Sequence, residues 1–155
     1  MAAFFQIVNM NYDPVSFLEK KGVKPTAMRI LVFEHLQDHP VAHSLARLEA
    51  HFAYSDRITL YRTLKIFQKK GVVHAIDDGS GATKYAICDE ACTEHYHVNF
   101  HPHFHCTKCG ETICLEDTKV ADIHIPPGFQ IHEAQIVFSG ICNKCGNSES
   151  TPKVH

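Results

Sequence analysis

The stretch from Ser55 to Ile87, SDRITLYRTLKIFQKKGVVHAIDDGSGATKYAI, changes period in its middle. Leu60, Leu64 and Phe67 recur at i, i+4 and i+7, which predicts an amphipathic helix opened by Ser55-Asp56. Lys69-Lys70-Gly71 closes it, with cations in the last turn and glycine just past the end. Val72 to Ile76 is then short and β-branched, Asp77 to Gly81 is a turn, and Thr83 to Ile87 is a second strand. The stretch is a helix followed by a β-hairpin.

Towards the N-terminus the pattern stays helical. Asp13-Pro14 reads as an N-cap with proline at the first helical position, and the helix through Phe17 and Leu18 stops at Gly22. Thr26 opens a second helix carrying Ile30, Leu31, Phe33 and Leu36, which His39-Pro40 breaks. A third holds Leu45, Leu48, Ala50 and Phe52 near one face. Helices followed by a hairpin make a winged helix-turn-helix. Towards the C-terminus strands are expected over 98–105, 112–115 and 129–138, with a short helix between Glu116 and Ile123 and a turn at Pro126-Pro127-Gly128. The expected fold is α+β. An N-terminal winged helix-turn-helix DNA-binding domain occupies 1–87, a hinge 88–97, and a small C-terminal α/β dimerisation and metal-binding domain with a four-cysteine zinc site 98–155.

Composition divides the chain in the same way. Hydrophobic residues at 45% with 21% charged describe a globular protein rather than a disordered one. Residues 1–87 hold 11 Lys/Arg against 8 Asp/Glu, while residues 88–155 hold 4 against 9. All seven cysteines and eight of thirteen histidines lie in the acidic half. One half therefore suits a polyanion and the other metal ions. No apolar run is long enough for a membrane span, and the apolar start, Met1 to Val8, lacks the positive region and cleavage site of a signal peptide. A cytoplasmic protein is expected, in which thiolates bind metal rather than form disulfides.

Cys106-Thr107-Lys108-Cys109-Gly110 and Cys142-Asn143-Lys144-Cys145-Gly146 are two matched knuckles, 32 residues apart. Each C-x-x-C pair chelates from a tight turn, and two pairs complete a tetrahedral shell, closed and therefore structural, for zinc. Upstream, His101, His103 and His105 alternate along one expected strand and so share a face. They mark a second metal site, with Cys88, Cys92, Glu94, His95, His97 and Cys114 as further candidates. A metallohydrolase would also use an H-x-H pair, but Pro102 stands where such motifs carry an acid. A zinc-storage protein would explain the cysteines and leave the helices unexplained.

In this order of elements the chain from about Asp13 to Gly146 resembles the ferric uptake regulator superfamily. Ile58-Thr59-Leu60-Tyr61-Arg62-Thr63-Leu64 is similar to that family's recognition-helix core, and Gly22-Val23-Lys24-Pro25-Thr26 with Arg29 to its first DNA-contacting turn. The resemblance implies a homodimer on a double-stranded DNA operator, repressing when a regulatory metal is bound. It implies neither enzymatic activity nor a small-molecule substrate or membrane. It assigns DNA contacts to Lys24, Arg29, Thr59, Tyr61 and Arg62.

The family's iron-type sensor pattern is matched by His39, His101 and His103, while its wing glutamate position is Ala86 and its later acid position is Cys114. The zinc-uptake branch takes a histidine from the first wing strand and a cysteine after the second, as His74 and Cys88 are placed here. The expected regulatory site is His74 and Cys88 with one or two of His97, His101 and His103, and Cys114 as a further ligand. Mixed nitrogen and sulfur donors favour Zn2+ over Fe2+ or Mn2+. Zinc sensing is thus expected, with iron, manganese or peroxide sensing as the alternatives.

Overall fold

The computed structural model describes residues 11–88, 90, 101–116, 118, 120 and 122–147. Four helices and a three-stranded sheet form its first part: α1 (Pro14–Lys20), α2 (Ala27–Asp38), β1 (His43–Ser44), α3 (Leu45–His51), α4 (Arg57–Lys69), β2 (Val73–Ile76) and β3 (Lys84–Ile87). Asp13, Ser44 and Asp56 each accept the backbone N–H three residues on, capping α1, α3 and α4. Thr26 occupies the cap position of α2 without making that bond. Gly22 and Gly71 adopt φ of 69° and 68° where α1 and α4 end, a conformation glycine takes without strain.

The periodicity read from the sequence is the packing. Leu60, Leu64 and Phe67 of α4 are fully buried against Leu18, Val32, Phe33, Leu48 and Val73. Burial of each such side chain stabilises the fold by about 1.5–3 kcal/mol. The hairpin β2–β3 is the wing, and β1 completes its sheet in the order β1-β3-β2, all antiparallel.

The second part is a mixed sheet of β4 (His103–Cys106), β5 (Thr112–Cys114) and β6 (Val137–Gly140), followed by α5 (Asn143–Asn147). Its order is β5-β4-β6, with β5 antiparallel and β6 parallel to β4. Gly140 lets β6 lie close to β4: a Cβ there would meet Phe104 Cζ at 3.3 Å.

Several expected strands are shorter than the patterns suggested. Positions 101 and 102 precede β4, and 98–100 lie outside the described residues. Residues 129–136 are irregular and largely exposed, and only 137–140 pair. Alternation alone does not make a strand; a neighbouring edge must receive its N–H and C=O groups. Of the expected helix between Glu116 and Ile123, the described positions 116, 118, 120, 122 and 123 are not helical and the others lie outside the described residues.

The wing packs on the second sheet. Ala42, Ile76 and Ala86 form a small apolar contact with Cys114 and Val137, and Ala42 N donates to Thr112 O at 2.7 Å. No described helix is long and apolar enough to cross a membrane.

Candidate metal sites and nucleic-acid face

Cys106 ends β4, Cys109 lies in the turn that follows, Cys142 precedes α5 and Cys145 lies within it. Their four sulfur atoms lie within 4.8 Å of one another. Gly110 N closes the first turn on Cys106 O, and Gly146 N closes the second on Cys142 O, both at 2.8 Å. Backbone N–H groups of Cys109 and Cys142 point at Cys106 Sγ and hold its thiol down at about 6. Cys145, half-buried and hydrogen-bonded to Cys142 beside the other sulfurs, is pushed up to about 12. Four thiolates cannot crowd together without a cation. The Cys109–Cys142 sulfur separation is 3.9 Å. Tetrahedral zinc, with Zn–S about 2.3 Å, places its sulfurs about 3.8 Å apart. The donor set fits zinc.

A second set forms across the seam between wing and sheet. His74 of β2, His101, His103 of β4 and Cys114 of β5 each offer one donor, and these four atoms also lie within 4.8 Å of one another. His74 Nε2 is 3.0 Å from His103 Nε2 and 3.6 Å from Cys114 Sγ. Both ring nitrogens of His101 and Nδ1 of His103 are buried without a hydrogen-bond partner. Burying such groups unpaired costs roughly 1–3 kcal/mol each. Burial, reinforced by His101, lowers His103 to about 4. Burial, with the nearby Glu116 charge, raises the Cys114 thiol to about 12. His103 is then a neutral imidazole and Cys114 a protonated thiol at the seam. These are the donors a divalent cation takes, releasing the thiol proton.

The sequence-predicted sensor residues divide. His74, His101, His103 and Cys114 converge. Cys88 lies on the opposite side of the His74 ring, its Sγ 3.4 Å from Nδ1, and outside the mutually close set. His97 and Cys92 lie outside the described residues, as do Glu94 and His95.

His39 is drawn into a different cluster. His35 stands between His39 and His51, with ring centroids at 4.3 and 3.9 Å, and His43 meets it edge-on at 4.9 Å. His39 turns Nδ1 to His35 O at 2.8 Å. His43 is fully buried with Nδ1 unpartnered, and burial lowers it to about 4. The i, i+4, i+8 spacing of His35, His39 and His43 could have signalled this group. Its fourth member, from α3, could not be found that way.

The face of α4 away from the core carries the predicted DNA contacts. Tyr61 is 47% exposed, which removes core packing as its role, and Arg62 is exposed beside it. Lys65 Nζ lies 5.5 Å from the Tyr61 ring centroid. Thr59 is partly engaged, its N–H and hydroxyl both donating to Asp56. At the first turn Lys24 is exposed, and Arg29 Nη1 donates to Lys24 O at 3.0 Å.

Residues 20–139 match the model of the Ferric uptake regulator family. The chain is similar to the Peroxide operon regulator of Bacillus subtilis (strain 168), 25% identical over 147 residues that cover 89% of this chain and 94% of that protein. With the Ferric uptake regulation protein of the same organism it is 30% identical over 96 residues, covering 59% and 61%. Among solved structures, a zinc uptake regulator complexed with zinc and DNA superimposes with a TM-score of 0.60 over 86% of this chain and 91% of that one, at 19% identity. At that identity the likeness is one of fold.

Proposed function

We propose that this chain, which belongs to the ferric uptake regulator family of metal-responsive transcriptional regulators, is a DNA-binding repressor that senses zinc through His74, His101, His103 and Cys114. The observation that carries this reading is the convergence of one donor atom each from His74, His101, His103 and Cys114 within 4.8 Å, with both nitrogens of His101 buried and unpartnered. Three imidazoles and one thiol are borderline-soft donors, which suit zinc better than ferrous iron or manganese. Cys106, Cys109, Cys142 and Cys145 would hold a second, structural zinc.

The sensor residues come from two separate pieces of the chain. His74 belongs to the wing, whereas His101, His103 and Cys114 belong to β4, β5 and the segment before them. When bound, the metal supplies a cross-link between these pieces by drawing their lone pairs to one point. The wing then has one angle to the sheet, and so does α4, to which the wing is joined through Gly71. With the donors unlinked that angle rests on the remaining wing-to-sheet contacts alone. A bias between two such states is a population shift, and its size is set by the difference in metal affinity between them. Cys88, against Nδ1 of His74, fixes the ring so that Nε2 faces the site.

We divide the chain into a DNA-binding domain at 1–87, a hinge at 88–97 and a dimerisation domain at 98–155, acting in the cytoplasm as a homodimer on a double-stranded operator. Lys24, Arg29, Tyr61 and Arg62 are the proposed DNA contacts, with Thr59 holding the start of α4. The two-fold-related winged helices would present α4 to successive major grooves. The test is metal content of the purified dimer, followed by operator gel shifts with Zn2+, Fe2+ and Mn2+ in turn. Zinc at two per chain and zinc-dependent shifts are expected. Shifts driven by iron or manganese alone would overturn the zinc assignment.

A further inference from the structure

Next to the sensor donors is a second buried cluster that contains no metal ligand. The ladder between β4 and β5 pairs His103 with Cys114 and, two positions further on the same face, His105 with Thr112. Residues two apart on a strand share a face, so both rungs point the same way. The wing meets them with its own shared face. His74 and Ile76 of β2 pair with Ala86 and Lys84 of β3, which puts His74 and Lys84 on one side of the hairpin. His74 enters the first rung and Lys84 the second.

At the second rung the polar groups are closely matched. Lys84 Nζ lies 2.6 Å from Asp78 Oδ2, 2.7 Å from Gly110 O and 3.1 Å from Thr112 Oγ1. An ammonium has three N–H donors, and each finds an acceptor. The Thr112 hydroxyl donates to Asp78 Oδ2, and Asp78 Oδ1 accepts Ser80 N at 3.0 Å. His105 Nδ1 lies 3.0 Å from Thr112 Oγ1 and 3.3 Å from Asp78 Oδ2. The Asp78 side chain is completely buried and that of Lys84 is 11% exposed. A buried pair of this kind adds little net stability over an apolar contact, but it tolerates only one geometry. Gly110 is also the residue that closes the first cysteine knuckle.

We propose that Asp78, Lys84 and Thr112 are positioning residues for the sensor: they lock the wing to the β4–β5 sheet in the register that presents His74 to His101, His103 and Cys114. The lock uses none of the sensor ligands, so it favours, independently of the metal, the same wing-to-sheet register that the bound metal requires. Because Lys84 holds Gly110 O, the folded cysteine knuckle is part of the register. This inference rests on the reading of His74, His101, His103 and Cys114 as the sensor.

The test uses the full-length dimer with its four-cysteine site loaded, titrated with Co2+ and, by chelator competition, with Zn2+. Lys84→Met and Thr112→Val are compared with wild type. Both variants are expected to lose about tenfold or more in sensor affinity, as outer-shell substitutions typically do. The visible and charge-transfer bands of the Co2+-loaded sensor should keep their wild-type form, because the ligands are unchanged. The structural zinc on the four cysteines should stay bound. A merely structural role would leave the sensor midpoint within about twofold once the folded fraction is matched, and that result in both variants overturns the proposal. Loss of the structural zinc in both also overturns it, since the residues would then serve folding alone. If Lys84→Met does not fold, Thr112→Val, which keeps the shape of the side chain, decides. A wild-type protein that binds no second metal refutes the sensor reading itself, an outcome distinct from an unshifted midpoint in the variants.

Discussion

His74 Nε2 lies 3.0 Å from His103 Nε2, one nitrogen from the wing and one from the sheet that follows the wing in sequence. Two imidazole nitrogens brought so close gain nothing from each other unless a proton or a cation sits between them. A neutral ring places its own N–H there as an N–H···N hydrogen bond. A cation would instead take both lone pairs and could draw further ligands from His101 and Cys114, within 4.8 Å.

The first prediction separates the two thiols near His74. Cys114 belongs to the mutually close donor set, whereas Cys88 contacts the other ring nitrogen. Cys114→Ser should abolish high-affinity sensor binding. Cys88→Ser, which removes a partner of His74, should weaken it about tenfold. Zinc competition with a chromophoric chelator reads both. The reverse order would make Cys88 the ligand and Cys114 the bystander.

Removal of the structural zinc has a different signature. Cys109→Ser, or a strong chelator, should release the structural zinc and unfold β4, β6 and α5, the sensor metal being lost with β4, because both knuckles hang on the four sulfurs. The core around Leu60, Leu64 and Phe67 should keep its helical circular dichroism. Retention of a folded C-terminal sheet after zinc loss would show that the site is not structural.

Acid stability should report the histidine cluster of α2, β1 and α3. His43 is lowered from 6.5 to about 4, mainly by burial, as is His35, for which burial leads and the His51, His43, His39 and Arg47 charges follow. Between those pH values the unfolded chain binds protons that the native one does not, so stability rises with pH through the window and is lost as pH falls from 6.5 to 4. For the fully buried His43, each tenfold loss of proton affinity on folding corresponds to about 1.4 kcal/mol. Urea midpoints measured across the window should drop steeply for wild type and less for His43→Leu. Equal slopes would remove His43 as a contributor. Asp78 acts lower: burial opposes its ionisation, but Lys84, Ser80 and Thr112 outweigh it and hold it well below the usual range, so its contribution is lost only below about pH 4.

Operator binding should depend on α4 without dependence of stability on the same residues. Tyr61→Ala should weaken binding by about 1–3 kcal/mol at specific sites, and Arg62→Ala should weaken all sequences alike while reducing the salt slope by about 1 if it contacts phosphate. Both side chains are exposed, so thermal midpoints should move little. A large loss of stability in Tyr61→Ala would return that residue to a packing role.

Much of this protein was legible along the chain because the signals are local. The helix at 57–69, its Asp56 cap and its Gly71 stop depend on residues within a turn of one another. The cysteine knuckles are equally local, since a chelating turn needs only its own four or five residues. The strand expected over 129–138 is shorter than its pattern because strands are made by neighbours, and among the described residues only 137–140 have one. His39 lies beside His35 and His43, and His35 in turn meets His51 of α3, a grouping across elements that spacing along the chain does not show.

The sequence by itself determined the α+β order of elements, the exposed recognition face of α4 and the four cysteines that can close a zinc shell. Tertiary structure alone decided which sensor candidates meet. It brought Cys114 within reach of His74, His101 and His103, set Cys88 against the other nitrogen of His74, and grouped His39 with His35 and His43. It also placed Lys84, an unremarked lysine in a wing strand, between Asp78, Thr112 and Gly110. The physical reason is that metal coordination and buried ion pairing act over a few ångströms between residues tens of positions apart. Such distances are fixed by how the wing packs on the β4–β5 sheet, and no spacing along the chain encodes them.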